Sequence, residues 1–297
     1  MKSSRLWTVG LTTAPAYAEA LADNLAELPG PEPLALSILS PPRAAVAHVE
    51  AIYGDEPDRA ALTAGLALHA ASGLFEMPKI DIRQMPDLNW LKKVSADFPP
   101  LPIASWIVHG AEHAHAVPDR RKALQIDATS AFGTGEHPTT RGCLLMLDWV
   151  LKHHGKPARV LDMGCGSGIL ALAYVKSAQG RAVAVDNHAD SVAIARENAR
   201  INGRRMQLRA KLGRGYAVDE VKKNAPFDLI MANIFARPLA SMARDLRLNL
   251  APGGLVILSG FLRHQVNLVL AAHRMQKLYL LRMFHSGDWV VLVLSRR

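Results

Sequence analysis

Val160-Leu161-Asp162-Met163-Gly164-Cys165-Gly166-Ser167-Gly168 is the stretch that decides the fold. An apolar run ends in a carboxylate, glycines follow at alternate positions, and Ile169–Ser177 then reads as helix. Glycines so placed let the backbone turn sharply and approach a ligand with no Cβ in the way. The first turn of the following helix presents unpaired N–H groups to the same space. Ala182–Asp186 is the next strand signal, and its last residue stands 22 positions after Gly164. An acidic residue there can take both hydroxyls of a ribose. The unit is strand, glycine turn, helix, strand, with a nucleoside over the turn.

Two cofactor classes suit such a crevice. A dinucleotide fingerprint needs Gly-x-Gly-x-x-Gly, whereas Gly164, Gly166 and Gly168 are spaced Gly-x-Gly-x-Gly. Asp162 beside the turn repels a pyrophosphate and attracts a cation. S-adenosylmethionine carries a sulfonium and an ammonium and no phosphate, so electrostatics favours it over nicotinamide or flavin.

Downstream, strand signals recur at Met206–Lys211, Phe227–Asn233, Leu255–Ser259, Tyr279–Met283 and Trp289–Leu294. Asp190–Asn202, Pro238–Leu250 and Arg263–Met275 read as helices, and Pro252-Gly253-Gly254 as a turn. Strands alternating with helices imply a mostly parallel sheet covered on both faces. His285-Ser286-Gly287-Asp288 leaves no room for a crossover, so the last two strands should form an antiparallel hairpin. Upstream, Arg5–Leu11, Pro15–Glu27, Leu34–Leu39, Val46–Tyr53, Asp58–Ala71 and Lys79–Arg83 read β-α-β-β-α-β, a ferredoxin-like order. Between them Met85–Ala123 is proline-rich, with a short helix at Asn89–Ala96 and a strand at Ile103–Val108. The expected division is therefore 1–85, a linker at 86–123, and 124–297.

The 297 residues are 49% hydrophobic and 21% charged, which excludes a disordered chain, a collagen or a coiled-coil rod. No apolar run reaches the roughly 18 residues of a membrane span. Cys143 and Cys165 are too few for a disulfide scaffold or a structural zinc site, and no metal is expected. Lys2 and Arg5 precede the apolar Leu6–Leu11, but that run is shorter than the roughly 7–15 residues of a secretory signal. The expectation is a cytoplasmic protein with reduced thiols. The net charge of +9 is uneven: residues 1–90 hold 6 Lys/Arg and 11 Asp/Glu (−5), and residues 91–297 hold 29 and 15 (+14). Two parts with different partners follow.

Three further stretches sharpen the reading. They are Asp87-Leu88-Asn89-Trp90, Ala131-Phe132-Gly133-Thr134-Gly135-Glu136-His137-Pro138-Thr139-Thr140, and Ala232-Asn233-Ile234-Phe235 at the end of the fourth strand. With the glycine turn and the terminal hairpin, residues 125–297 resemble the class I methyltransferases. The whole set resembles the family that methylates large-subunit ribosomal protein L-eleven (PrmA). The resemblance implies an α/β fold: a seven-stranded Rossmann-like methyltransferase domain behind a small N-terminal α+β ferredoxin-like domain that recognises substrate. It implies S-adenosylmethionine as cofactor, with lysine ε-amino groups and an N-terminal α-amino group as acceptors. It also implies that Thr140 closes the cofactor pocket, Gly164 lies against the methionine part, Asp186 takes the ribose, and Asn233 stands beside the reacting methyl group. Asp162, Gly166 and Gly168 complete the cofactor set. Glu136 and the approach Ile126-Asp127-Ala128-Thr129-Ser130 depart from the family pattern.

An acidic module attracts basic proteins such as ribosomal ones, and the basic remainder suits incidental contact with ribosomal RNA. An alternative is an RNA or small-molecule N-methyltransferase of the same fold. Enzymes acting on exocyclic base amines carry Asn/Asp-Pro-Pro-aromatic where this chain has Asn233-Ile234-Phe235-Ala236, which argues against a base. A cofactor-binding module without an acceptor is a third reading, opposed by Phe235 and Thr140 beside an intact turn. His109, Glu112, His113 and His115 lack the His-Glu-x-x-His spacing and read as solvated. His137 reads as loop packing, Cys165 as a small buried filler, and Arg204-Arg205 to Arg214 as a solvated strand end. Trp90 and Trp106 read as anchors between the domains.

Overall fold

A computed structural model describes residues 6–28, 33, 35–39, 45–71, 76–84, 100–117, 123–126, 135, 137–178 and 180–297. Asp87–Trp90, the helix expected at Asn89–Ala96, Phe132–Thr134, Glu136 and Asp127–Ser130 lie outside them. The chain divides into two compact units, Met1–Leu91 and Lys92–Arg297.

In the first unit β1 (Trp7–Thr13), α1 (Ala18–Glu27), β2 (Ala35–Leu39), β3 (Ala47–Tyr53), α2 (Arg59–Ala71) and β4 (Lys79–Gln84) follow in order. The strands pair antiparallel as β2-β3-β1-β4, the ferredoxin-like arrangement. Alternation dictates the packing. Ala47, Val49, Ala51 and Tyr53 of β3 are buried with Val9 and Leu11 of β1, Leu21 and Leu25 of α1, and Leu66 of α2. His48 and Glu50 stay exposed. Asp58 caps α2 by accepting the N–H of Ala60 at 2.8 Å.

The second unit opens with β5 (Leu101–Ile103), β6 (Trp106–His109) and β7 (Ala123–Gln125), which form a small sheet of their own. This differs from the expected linker: Ile103, Trp106, Val108 and Leu124 are buried in the same core as Leu144 and Leu147. Trp106, expected between domains, instead fixes the second unit, its indole N–H donating to Ser177 Oγ at 2.9 Å. Next come α3 (Pro138–His153), β8 (Arg159–Met163), α4 (Ile169–Ala178), β9 (Arg181–Asp186), α5 (Ala189–Ile201), β10 (Leu208–Leu212) and α6 (Asp219–Asn224). β11 (Phe227–Asn233), α7 (Ala236–Ser241), α8 (Ala243–Asn249), β12 (Leu250–Leu262), α9 (Val266–Met275), β13 (Leu278–Ser286) and β14 (Trp289–Arg296) complete it.

The seven strands order as β10-β9-β8-β11-β12-β14-β13. β8 to β12 run parallel, and β14 runs antiparallel to both neighbours as the hairpin requires. Both faces of the sheet are covered. Val160, Leu229, Met231 and Ile257 enter one core with α3 and α4, while Leu161, Ile230, Ala232 and Leu258 enter the other with α7 and α9. Hence the near-continuous apolar strands of the sequence.

Two expected elements change form. Pro238–Leu250 is two helices, α7 and α8, meeting at Met242. The turn at Pro252-Gly253-Gly254 lies inside β12. Pairing jumps from Phe227↔Leu250 to Leu229↔Leu255, so Ala251–Gly254 bulge out of the ladder and Pro252 has no bond to spoil.

Candidate cofactor and acceptor site

The site sits at the C-terminal ends of β8, β9 and β11, where ligands bind in open parallel sheets. After β8 the chain turns back beneath β9: the N–H groups of Gly164 and Cys165 both donate to Val185 O, at 2.8 and 3.0 Å. Gly164 has φ +70, and a Cβ on it would run into Ile234 Cγ2. The glycine requirement here is thus steric twice over. Gly168 closes the turn, its N–H donating to Cys165 O at 2.8 Å.

Asp186 is only 7% exposed. Its Oδ2 accepts the Gly166 N–H and its Oδ1 the His188 N–H, each at 2.9 Å. A carboxylate offers about four acceptor sites, so two remain for a ribose diol. Asp162 is buried, and its Oδ2 accepts the N–H of Ala171 in the first turn of α4 at 3.0 Å. Burial pushes its carboxyl up to about 7; the Ala171 bond opposes this and the charge of Asp186 adds to it. A cation arriving nearby would draw it back to the ionised form. Cys165 is buried, and its thiol is raised by that burial and by the two carboxylates, so it stays protonated and inert.

Asn233 ends β11. Its Nδ2 donates to Thr140 Oγ1 at 3.4 Å, bringing together residues from opposite sides of the glycine turn in sequence. That donor fixes the amide, and Asn233 Oδ1 is left buried with no partner among the described residues. A buried orphan acceptor costs about 1–3 kcal/mol. At the strand end next to the glycine turn, such an acceptor suits an ammonium or amine hydrogen. The donor set therefore fits S-adenosylmethionine.

His137 caps α3: its Nδ1 accepts the Thr139 N–H at 3.3 Å and lies 2.7 Å from Thr139 Oγ1. Burial lowers its pKa to about 4, which keeps that lone pair available. Its ring meets Trp289 edge-on at 4.8 Å. The sequence reading missed two residues here. Gly260, at φ +94, lets Ile234 approach, since a Cβ would stand 2.5 Å from Ile234 O. Ser259 holds the same backbone, its O accepting the Ile234 N–H at 3.0 Å. Their only signal is a Ser-Gly pair closing the fifth apolar run.

The other candidates lie elsewhere. His109 is buried, with Nδ1 at 2.8 Å from Gly110 O. No group of three His, Cys, Asp or Glu able to hold a metal occurs among the described residues. Arg209 pairs with Glu220 at 2.9 Å on an exposed strand end. No helix among the described residues is long and apolar enough to cross a membrane.

Comparison with known proteins identifies the family. The family model described as ribosomal protein L11 methyltransferase (PrmA) matches residues 35–297. A Bradyrhizobium diazoefficiens protein named ribosomal protein L11 methyltransferase is 38% identical over 244 residues, 82% of each chain. One of the same name from a Caulobacter species is 36% identical over 284 residues, 95% of each chain. The crystal structure of ribosomal protein L11 methylase from Lactobacillus delbrueckii subsp. bulgaricus superposes with a TM-score of 0.53 at 31% identity, covering 59% of this chain and 86% of that one. A glycine turn with its paired acid, an amide closed by an upstream threonine, and near full-length relatives lead to one statement: this chain belongs to the ribosomal protein L11 methyltransferase family.

Proposed function

We propose that this methyltransferase modifies lysine ε-amino groups of a large-subunit ribosomal protein, with an N-terminal α-amino group as a further acceptor. The observation that carries the reading is the orphan Asn233 Oδ1 at the mouth of the glycine turn. When bound, S-adenosylmethionine supplies an electrophilic methyl group on a cationic sulfur that leaves as a neutral thioether. Gly164 and Gly166 line its path, Asp162 supplies negative charge behind it, Asp186 takes its ribose and Thr140 closes the upstream side.

The acceptor must be neutral to attack. A free lysine has a pKa of about 10.4, and bringing it near 7.4 corresponds to roughly 4 kcal/mol of differential interaction. Desolvation and neighbouring positive charge both act in that direction. Asn233 Oδ1 accepts an amine hydrogen and so aims the nitrogen lone pair. No side chain need act as a base, because the nitrogen enters neutral and sheds its proton afterwards.

The reading places this activity in the cytoplasm and gives the acidic N-terminal part, expected at residues 1–85, the task of drawing in a basic partner. The basic second unit then tolerates ribosomal RNA nearby. The test is incubation with labelled S-adenosylmethionine and ribosomal extract, with and without ribonuclease. A single labelled small protein carrying methyl-lysine supports the reading. Label that ribonuclease removes would overturn it in favour of RNA.

A further inference from the structure

β10 is the outer strand of the large sheet, and the chemistry above makes no use of its outer side. Residues 196–223, which run through it, hold nine Lys/Arg against three Asp/Glu, in a chain whose net charge is +9. Two of the three acids are already engaged. Glu197 pairs with Arg200 at 2.6 Å, and Glu220 with Arg209 at 2.9 Å and Lys211 at 3.7 Å. Arg204, Arg205, Arg214, Lys222 and Lys223 make no ion pair among the described residues. Arg204 Nε is buried with no acceptor among them. Lys211, Arg214 and Lys223 line a groove of about 660 Å³ at the end of β10, with Asp219 and Glu220 also in its wall. Like charges gathered this way repel one another until an anion joins them.

The same edge is closed to a protein strand. The Ala182 N–H donates to Gln207 O and the Gly213 N–H to Asp186 O, so alternate residues of this segment face β9 and Ala210 turns its carbonyl outward. Arg196 covers that carbonyl with two bonds, from Nε at 3.1 Å and Nη2 at 2.9 Å. An incoming strand would have to displace both. The edge thus offers side-chain cations around a blocked ladder, a pattern that suits phosphates and not an extended peptide.

We infer that the β10 edge docks the enzyme on ribosomal RNA, its unpaired arginines and lysines neutralising backbone phosphates while the acceptor site works on the protein. The choice of RNA as the polyanion rests on the ribosomal substrate proposed above. Each cation that meets a phosphate releases a counterion, so binding weakens with salt in proportion to the number of contacts. Five contacts correspond to a slope of log K against log salt of about −3.5 to −4.5. The planar fork of arginine takes two phosphate oxygens at once, whereas lysine acts as a point charge.

The test uses the full chain and a fluorescein-labelled RNA hairpin, with fluorescence anisotropy read at several salt concentrations. The wild type should give a slope in that range. Lys222→Gln with Lys223→Gln, both exposed, should flatten it by about 1.5–2. Arg204→Gln with Arg205→Gln should do the same, and the lysine pair decides alone if the arginine pair unfolds. Arg263→Gln with Arg274→Gln removes equal charge from exposed positions around α9, which packs on β13 at the opposite end of the sheet. That pair should leave the slope unchanged. A wild-type slope near zero overturns the inference, as does a slope that the Arg263 and Arg274 pair flattens as much as the edge pairs do. Equal binding to vesicles of phosphatidylcholine and phosphatidylserine in equal parts, weakened alike by the lysine pair, overturns it in favour of a lipid surface. A chain that binds RNA through this edge yet leaves no methyl on any lysine supports the inference and overturns the lysine reading instead.

Discussion

Replacing Asp186 offers the sharpest check on how the cofactor is held. Its two oxygens already accept the Gly166 and His188 N–H groups, and a ribose diol would add two more bonds. A hydrogen bond to a charged group contributes about 1.5–3 kcal/mol. Loss of two corresponds to at least about 3 kcal/mol, or roughly a hundredfold in Kd. Asp186→Ala should show that loss in calorimetric titration with S-adenosylmethionine. It should also lower Tm, because two backbone donors lose their acceptor. Asp186→Asn separates the effects. It retains one acceptor oxygen for the backbone but presents an amide N–H₂ toward the other donor, so affinity should fall about tenfold or more with a smaller change in Tm. Asp186→Ala protein that binds the cofactor within about twofold of wild type would refute the assignment. Equal Tm in all three would refute the claim that this carboxylate braces the turn.

Other outcomes follow from the same geometry. His137 has a folded pKa near 4 against an ordinary 6.5, so the unfolded chain binds more protons between those values. Its contribution is complete above about pH 6.5 and lost as pH falls toward 4; thermal unfolding across that range should show the slope, and His137→Ala should flatten it. Asp162 acts in the opposite sense: its carboxyl is raised from 3.8 to about 7, so its contribution is present at low pH and lost as pH rises through 7. Asp162→Asn keeps an acceptor for Ala171 and should remove that second slope in the same melts. Gly260→Ala places a Cβ 2.5 Å from Ile234 O at a φ of +94, and a cost of about 2 kcal/mol or more is expected. Because Ile234 follows Asn233, kcat should fall with it; intact kcat and Tm would contradict the packing. Glu50→Lys, on the exposed side of the first sheet, should raise KM for the ribosomal protein and weaken its salt dependence while leaving cofactor Kd unchanged, as measured by steady-state kinetics at several ionic strengths.

Much of this architecture could be read from residue order. The glycine turn, its partner acid and the six crossover strands follow from local pattern, because apolar runs and glycine spacing are properties of short windows. α3 was not foreseen, since its cap is a histidine rather than Ser or Asp. Of the β5–β6–β7 sheet the sequence offers one strand at Ile103–Val108 where the structure has a hairpin, because each strand is only three or four residues long and prolines interrupt them. The bulge at Pro252 looked like an ordinary turn because only the neighbouring strand reveals that the ladder resumes beyond it. In the site, Gly260 and the Asn233–Thr140 bond were invisible for one reason: each depends on chains far apart in sequence meeting within a few ångströms.

The double-sided core of the large sheet carries a consequence for how this fold finds itself. Along β8 and β11 neighbouring residues such as Val160 and Leu161, or Ile230 and Met231, enter opposite cores and are almost equally apolar. A one-residue slip of either strand would exchange one aliphatic side chain for another, so hydrophobic alternation does little to set alignment. What cannot be exchanged are the polar and glycine residues at the strand ends: Asp162 with its bond to α4, Asn233 with Thr140, and Ser259 and Gly260 against Ile234. The groups that build the candidate site are therefore also the index marks by which the central strands choose their partners. Substitutions among them should broaden the population of misaligned chains during folding as well as slow the enzyme.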